Sequence, residues 1–474
     1  MTKPTRRLFT ATLAVGLALA DKAFADTNPY IGTWSGTLIA GSAKLRLKLV
    51  IEAATATIYS LDQGGSAIPA SGLKTDGKLT VEFAIIQARY EATVSGDRLS
   101  GTFTQGGQPL PLEFKRGDLF AAAPPARVEV LTPAYLDQMR ADTHMPAVAA
   151  AWADNGGVAT VLASGVRSVD ANIVVTPADR WHLGSISKSM TATLVARMIE
   201  KGGIGWDTTV GEVLGKTVPD MNPAYRTANL RHLLSHHAGL PADAGMSLLS
   251  TLPREDGPDP RNDRLHYVAA ALAEAPVAGL GEKMVYSNSG FVTAGAMLEA
   301  VFGQPWETLI AAHLFQPLAI TSAGFGAPGT PGKLDQPLGH GVDRPDHLVA
   351  VEIGAGKSSD NPVALGPAGR VHMSLSDVVL YLNAHMSQPE SFLRAGSWKM
   401  LHTPPFTGRY AMGWMVGGDG QLWHNGSNTV WYAEVAVDPA RKVVAAAATN
   451  DGVLTQVQPA IAAILKSALV RAQS

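Results

Sequence analysis

The chain has 474 residues, 46% of them hydrophobic and 16% charged, which is too long for one ordinary domain and rich enough for two or three globular cores. A formal net charge of −2 removes any electrostatic case for nucleic acid or an anionic membrane surface as partner. The absence of cysteine excludes disulfides, a cysteine nucleophile and thiolate metal sites.

The N-terminus reads as an export signal over residues 1–25. Thr5-Arg6-Arg7-Leu8-Phe9 supplies a charged start, Ala11 to Ala20 a short apolar run, and Ala23-Phe24-Ala25 an A-x-A cleavage site before Asp26. The paired arginines followed by Phe9 resemble a twin-arginine signal. Cleavage after Ala25 would release the mature protein into the periplasm. No later segment is apolar and long enough to cross a bilayer.

Residues 26–118 read as all-β. Leu45, Leu47, Leu49 and Ile51 alternate with Lys44, Arg46, Lys48 and Val50, a period of two that implies one buried face. Asp76-Gly77, Ser95-Gly96-Asp97 and Gly106-Gly107 are turn signals between further short runs. The spacing predicts a small antiparallel barrel or sandwich, with Trp34 a core aromatic and no catalytic constellation.

Residues 119–131, which include Ala121-Ala122-Ala123-Pro124-Pro125-Ala126, read as a linker. Residues 132–474 read as an α+β domain. Thr132-Pro133 is an N-cap followed by proline at the first helical position. Strand-like runs at Val148–Trp152 and Ala159–Val166, and again at Trp431–Val437 and Lys442–Ala448, bracket a long helical stretch. The expected sheet joins the strands of the two ends, with helices flanking it.

Three short motifs in this domain carry chemistry. In Ser185-Ile186-Ser187-Lys188, a helix would put Lys188 within side-chain reach of Ser185. A serine hydroxyl needs such a neighbour to take its proton. Met190, Leu194, Val195, Met198 and Ile199 have helical spacing and Gly202-Gly203 can end the helix, so Ser185 falls near a helix N-terminus that favours developing negative charge. Tyr286-Ser287-Asn288 precedes the apolar helical run from Phe291 to Leu298, and a phenol there can carry a proton. His424-Asn425-Gly426 lies before the closing strands, where glycine lets backbone N–H groups approach a substrate and an edge strand could pair with an amide. Each motif has a decoy: Ser71-x-x-Lys74, Tyr381-x-Asn383 and His237-Ala238-Gly239 read as surface, packed helix face and turn.

The order of these motifs and their surroundings resemble the serine β-lactamase and penicillin-binding-protein superfamily, close to the branch of class C β-lactamases, related esterases and D-amino-acid peptidases. The likeness runs from about Thr132 to the C-terminus. It is carried by Trp181 to Lys188, Leu230 to Pro241, Tyr286 to Gly290, Phe315 to Leu318, Ser322 to Gly326, Gly366 to Arg370 and His424 to Gly426. The resemblance implies a β-lactamase-like fold, with Ser185 as acylated nucleophile, Lys188 as its proton partner and Tyr286 as second acid/base. Asn288 would be a polar ligand to substrate or to Lys188. The N–H groups of Ser185 and Ser427 would form an oxyanion hole beside Gly426. No metal and no cofactor is implied.

His424 stands where many β-lactamases have the lysine of Lys-Thr-Gly, as in many esterases and peptidases. A histidine is mostly neutral near pH 7, so it holds a β-lactam carboxylate less well. The expected function is an exported serine hydrolase that opens β-lactams through an acyl-enzyme. A carboxylesterase or D-amino-acid peptidase is the alternative, and a catalytically reduced peptidoglycan- or peptide-binding protein is the alternative of another class. The partner is a small-molecule or peptide-like substrate. His236-His237 read as satisfied loop histidines, and Arg370 as either a substrate-carboxylate contact or an ion pair.

Overall fold

A computed structural model describes residues 28–471 apart from 41–42, 62–66, 87, 106–107, 121–129, 256, 258, 345–346 and 355–358. The expected export signal and most of the expected linker lie outside the described residues. The chain divides into two compact units that part between Pro125 and Ala126.

The N-terminal unit is one antiparallel sheet of nine strands: β1 (Gly32–Ala40), β2 (Ala43–Ile51), β3 (Ala56–Ser60), β4 (Ala67–Pro69), β5 (Gly72–Lys74), β6 (Leu79–Phe83), β7 (Ala88–Ser95), β8 (Arg98–Gln105) and β9 (Gln108–Arg116). The order is β4-β3-β2-β1-β9-β8-β7-β6-β5. Its two end strands are consecutive in the chain. Across them, Ala70 N–H bonds to Ala56 of β3 and Ser71 N–H to Glu82 of β6. The sheet therefore curls into a barrel with one seam, and is not a two-sheet sandwich. In β2 the alternation holds: Leu47, Leu49 and Ile51 are buried, while Arg46, Lys48 and Val50 are less so. Trp34 is fully buried and donates its indole N–H to Tyr30 O at 2.8 Å.

The C-terminal unit is built on a seven-stranded antiparallel sheet. Its strands are β10 (Ala147–Asp154), β11 (Thr160–Ser168), β12 (Ala171–Val174), β18 (Met415–Val416), β19 (Leu422–Ser427), β20 (Tyr432–Asp438) and β21 (Val443–Thr449), in the order β12-β11-β10-β21-β20-β19-β18. Strands from the two ends of the domain thus meet at β10 and β21, where Ala150 faces Ala447. Both faces are buried. Val443, Ala445 and Ala447 pack with α1 (Pro133–Asp142) and the C-terminal helix, and Val444, Ala446 and Ala448 with the helical core. Alanine on successive positions lets helices approach both faces, and side chains such as Leu136, Ile461 and Met190 are buried against them, worth roughly 1.5–3 kcal/mol per fully buried side chain.

Local signals set the element starts. Thr132 caps α1, its hydroxyl accepting the Tyr135 N–H, with Pro133 at the first position. The helix α2 (Ser187–Lys201) ends at Gly202, φ 91°. The longer helices that follow are α3 (Arg261–Ala273), α4 (Asn288–Phe302), α5 (Leu375–Ser387) and α6 (Leu454–Arg471), with shorter ones between them. A small sheet of β13 (Arg180–His182), β17 (Val371–Ser374) and β14 (Gly324–Phe325) delivers the chain to Ser185, and a hairpin of β15 (Gly339–Arg344) and β16 (His347–Val351) lies apart from it. Among the described residues, no helix is long and apolar enough to cross a membrane.

Candidate active site

Ser185 sits in a single 3₁₀ turn, Gly184–Ile186, that runs straight into α2. The turn is pinned from several sides. Leu183 N–H bonds to Val371 O at 2.9 Å, Ser187 Oγ donates to Gly184 O at 2.7 Å, and Gly184 N–H bonds to His182 Nδ1 at 3.1 Å. His182 Nε2 lies 2.9 Å from Asp360 Oδ1, at an angle that a straight N–H···O bond does not take. Asp360 also takes Arg370 Nε at 2.9 Å and Asn428 Nδ2 at 2.9 Å. Burial alone would raise the Asp360 pKa, but His182, Arg370 and Asn428 outweigh it and hold the carboxyl far below the usual carboxylate range. Arg370 is thus part of a buried ion pair.

Lys188, the second residue of α2, is fully buried. Its Nζ lies 3.0 Å from Ser185 Oγ, 2.6 Å from Asn288 Oδ1 and 2.8 Å from Ala368 O. The last two are carbonyl oxygens and can only accept. They take two N–H groups, so the third tetrahedral position of the nitrogen faces Ser185. As an ammonium it donates there, and as a neutral amine its lone pair points at the serine proton.

Tyr286 and Asn288 arrive together at the start of α4. The Tyr286 ring is 39% exposed and its centroid lies 4.9 Å from Lys188 Nζ, so it forms the solvent-side wall above the amine. Behind it stand buried rings that no linear pattern places here. His236, at φ 65°, packs 4.3 Å from Tyr286 and 4.5 Å from Tyr410, centroid to centroid. Its Nδ1 accepts the Ser287 N–H at 3.0 Å, and its buried Nε2 has no hydrogen-bond partner among the described residues.

His424 is buried, 3% exposed. Its Nδ1 lies 2.6 Å from Asn425 O, an acceptor, so Nδ1 carries the proton and Nε2 accepts from Tyr410 Oη at 2.9 Å. Burial, with Lys188 next, pushes the His424 pKa down to about 3. The same two causes push His236 well down. Burial and then Tyr286 push Tyr410 well above the usual phenol value. The pocket wall beside Lys188 is therefore neutral.

Gly426 and Ser427 lie at the end of β19. From His424 onward this strand has β20 as its only sheet neighbour among the described residues, since β18 pairs only with Leu422 and Trp423. A Cβ on Gly426 would fall 2.5 Å from Ser185 N, and one on Gly184, φ 49°, 2.3 Å from Ser427 N. Two glycines facing each other let the two backbone segments touch, which brings the N–H groups of Ser185 and Ser427 side by side.

The structure thus gathers Ser185, Lys188, Tyr286, Asn288, His424, Gly426 and Ser427 in one place. Two of the decoys lie elsewhere. Ser71 bonds to Glu82 O at 3.1 Å in the barrel, and Tyr381 is buried on α5 against Ser189. Sequence reasoning missed Gly184, His236, Tyr410 and Asp243. His236 was legible only as half of a tandem loop pair. Among the described residues, no group of three or more His, Cys, Asp or Glu side chains is arranged to hold a metal ion.

The family model described as Beta-lactamase matches residues 133–469. Penicillin-binding protein 4 of Amycolatopsis lactamdurans is 28% identical over 342 residues, covering 67% of this chain and 84% of that protein. Among solved structures, the D-amino acid amidase of Ochrobactrum anthropi SV3 superposes with a TM-score of 0.57 at 18% identity, over 71% of this chain and 97% of that one. EstCE1, a hydrolase with promiscuous acyltransferase activity, gives 0.57 at 19% identity, over 71% and 97%.

Proposed function

The chain belongs to the Beta-lactamase family of serine hydrolases, and from that premise we propose that it cleaves esters or amides needing no carboxylate anchor, through an acyl-enzyme on Ser185. The observation that carries this reading is the coordination of Lys188, with two N–H groups held by Asn288 and Ala368 and the remaining position on Ser185.

Ser185 Oγ attacks the acyl carbon as its proton passes to Lys188 Nζ. The oxygen of the tetrahedral intermediate takes the N–H groups of Ser185 and Ser427; one such donor lowers the barrier by about 3 kcal/mol. Tyr286, over the amine at the solvent side, hands a proton to the leaving group. Lys188 passes the serine proton on to Tyr286; water then enters and adds to the acyl carbon as its proton goes to the same pair, and the acid leaves as that proton returns to Ser185 Oγ.

The substrate class follows from charge. His424 is neutral and buried against Tyr410, and Arg370 is held by Asp360. Neither supports a bound carboxylate. β-Lactams, which the sequence favoured, become the second reading, supported by the likeness to Penicillin-binding protein 4. EstCE1 and the amidase have the fold in common with this chain, which is compatible with ester or amide chemistry.

We extend the proposal to location and domains: export to the periplasm on the signal over residues 1–25, with the barrel a module added before a hydrolase domain at 132–474. N-terminal sequencing of the periplasmic protein tests cleavage after Ala25.

The functional test is the mature protein on a short-chain nitrophenyl ester, a D-alanyl nitroanilide and a chromogenic cephalosporin, beside Ser185→Ala. Ester or anilide turnover that vanishes in the variant is expected. Cephalosporin as the best substrate would move the reading to β-lactams, and no turnover of any would favour the binding-protein alternative.

A further inference from the structure

Asn288 is useful to Lys188 only in one of its two amide orientations. With Oδ1 toward the amine it accepts an N–H, whereas with Nδ2 there it would set donor against donor. The two ends of an amide are nearly the same shape, so a neighbour must choose between them. That neighbour is Asp243. Asn288 Nδ2 donates to Asp243 Oδ1 at 3.0 Å and to Oδ2 at 3.1 Å. An ionised carboxylate can only accept, so it fixes the nitrogen on its own side and turns Oδ1 to Lys188.

Asp243 is itself held. Tyr267 Oη donates to its Oδ1 at 3.0 Å. The loop on either side is tied down, with Asn288 N–H bonded to Ala242 O at 2.7 Å, Ser287 Oγ donating to Pro241 O at 2.6 Å, and Ala244 N–H bonded to Tyr267 Oη at 3.2 Å. The carboxylate thus meets the amide at a fixed place, one side chain removed from the amine.

We infer that Asp243 is a positioning residue for the acylation step: it locks the Asn288 amide so that the free tetrahedral position of Lys188 Nζ is directed at Ser185. The inference rests on the proposed function, since it concerns the same amine and serine. It adds a carboxylate that makes no contact with Ser185 and lies outside every motif read from the sequence.

The test is a double-mutant cycle in the full chain, with kcat and KM for the best ester or anilide substrate and folding followed by circular dichroism. Asp243→Asn is expected to lower kcat about 10- to 100-fold with KM moved less than about threefold. Asn288→Ala should lose at least as much. The double variant should be no worse than Asn288→Ala alone by more than about twofold, because Asp243 acts only through that amide. Losses that multiply, or Asp243→Asn within about twofold of the parent, would overturn the inference. Asp243→Ala is the second variant, and failure of both to fold would make Asp243 a purely structural residue and overturn it as well. Ser185→Ala separates the two levels. If it stays active the proposed function fails. If it is dead while Asp243→Asn is unaffected, only the role of Asp243 fails.

Discussion

Gly184 and Gly426 face each other across the site, and neither position has room for a side chain: the Cβ of one would strike Ser427 N at 2.3 Å and that of the other Ser185 N at 2.5 Å. The close approach of the turn before α2 to the end of β19 is what makes two backbone N–H groups available together. Gly184 also has φ 49°, a conformation that favours glycine.

Gly184→Ala should therefore separate the two N–H groups. We expect kcat to fall about 100-fold, the scale of losing one oxyanion donor, with little change in KM. Gly396→Ala, which would meet nothing within 4 Å, is the control and should leave activity unchanged. Steady-state kinetics on both variants decides; an active Gly184→Ala enzyme would show that this contact is not needed.

Tyr410→Phe removes the donor to His424 Nε2 and leaves that nitrogen buried without a partner. Loss of stability by about 1–3 kcal/mol is expected from urea denaturation. A change below about 0.5 kcal/mol would show that the nitrogen finds another donor.

The core of the C-terminal unit pairs Arg264 on α3 with Glu299 on α4 and with Glu307 in the short helix Trp306–Ile310. Arg264 is fully buried, so Arg264→Leu strands two carboxylates with little access to water. The expected loss is about 3–5 kcal/mol, measured as a shifted denaturation midpoint.

Stability should fall in acid. Burial pushes His402 and His372 down to about 4 from an ordinary 6.5. The unfolded chain therefore binds protons that the folded chain refuses. The stability these groups contribute is complete above pH 6.5 and is lost as pH falls toward about 4. All 13 histidines lie after residue 126, so calorimetry from pH 7 to pH 4.5 should show the C-terminal unit's transition moving down more than the barrel's. His402→Gln should flatten that dependence.

How much of this was legible in the sequence differs by level. The period-two pattern of Leu47, Leu49 and Ile51 and the strand runs at both ends of the hydrolase domain state the sheets directly, because burial of one face or both leaves a pattern in hydrophobicity. Ser185, Lys188, Tyr286 and Asn288 lie in short motifs whose spacing and order carry the proposed chemistry. Asp243 and Tyr410 do not. They act by contact across turns, 45 and 14 residues from Asn288 and His424, and nothing in a linear pattern marks an amide that needs its orientation fixed. His236, read as a satisfied loop histidine, does lie in a loop, but its packing against Tyr286, distant in the chain, left no mark in the linear pattern.

The central claim is that Ser185 carries the acyl group. The most direct measurement is mass spectrometry of enzyme quenched in acid during turnover of a nitrophenyl ester, with the peptide Trp181–Lys188 fragmented to separate Ser185 from Ser187. The account predicts an acyl adduct on Ser185, absent along with turnover in Ser185→Ala. Turnover with the adduct on another residue, or undiminished in Ser185→Ala, would contradict it.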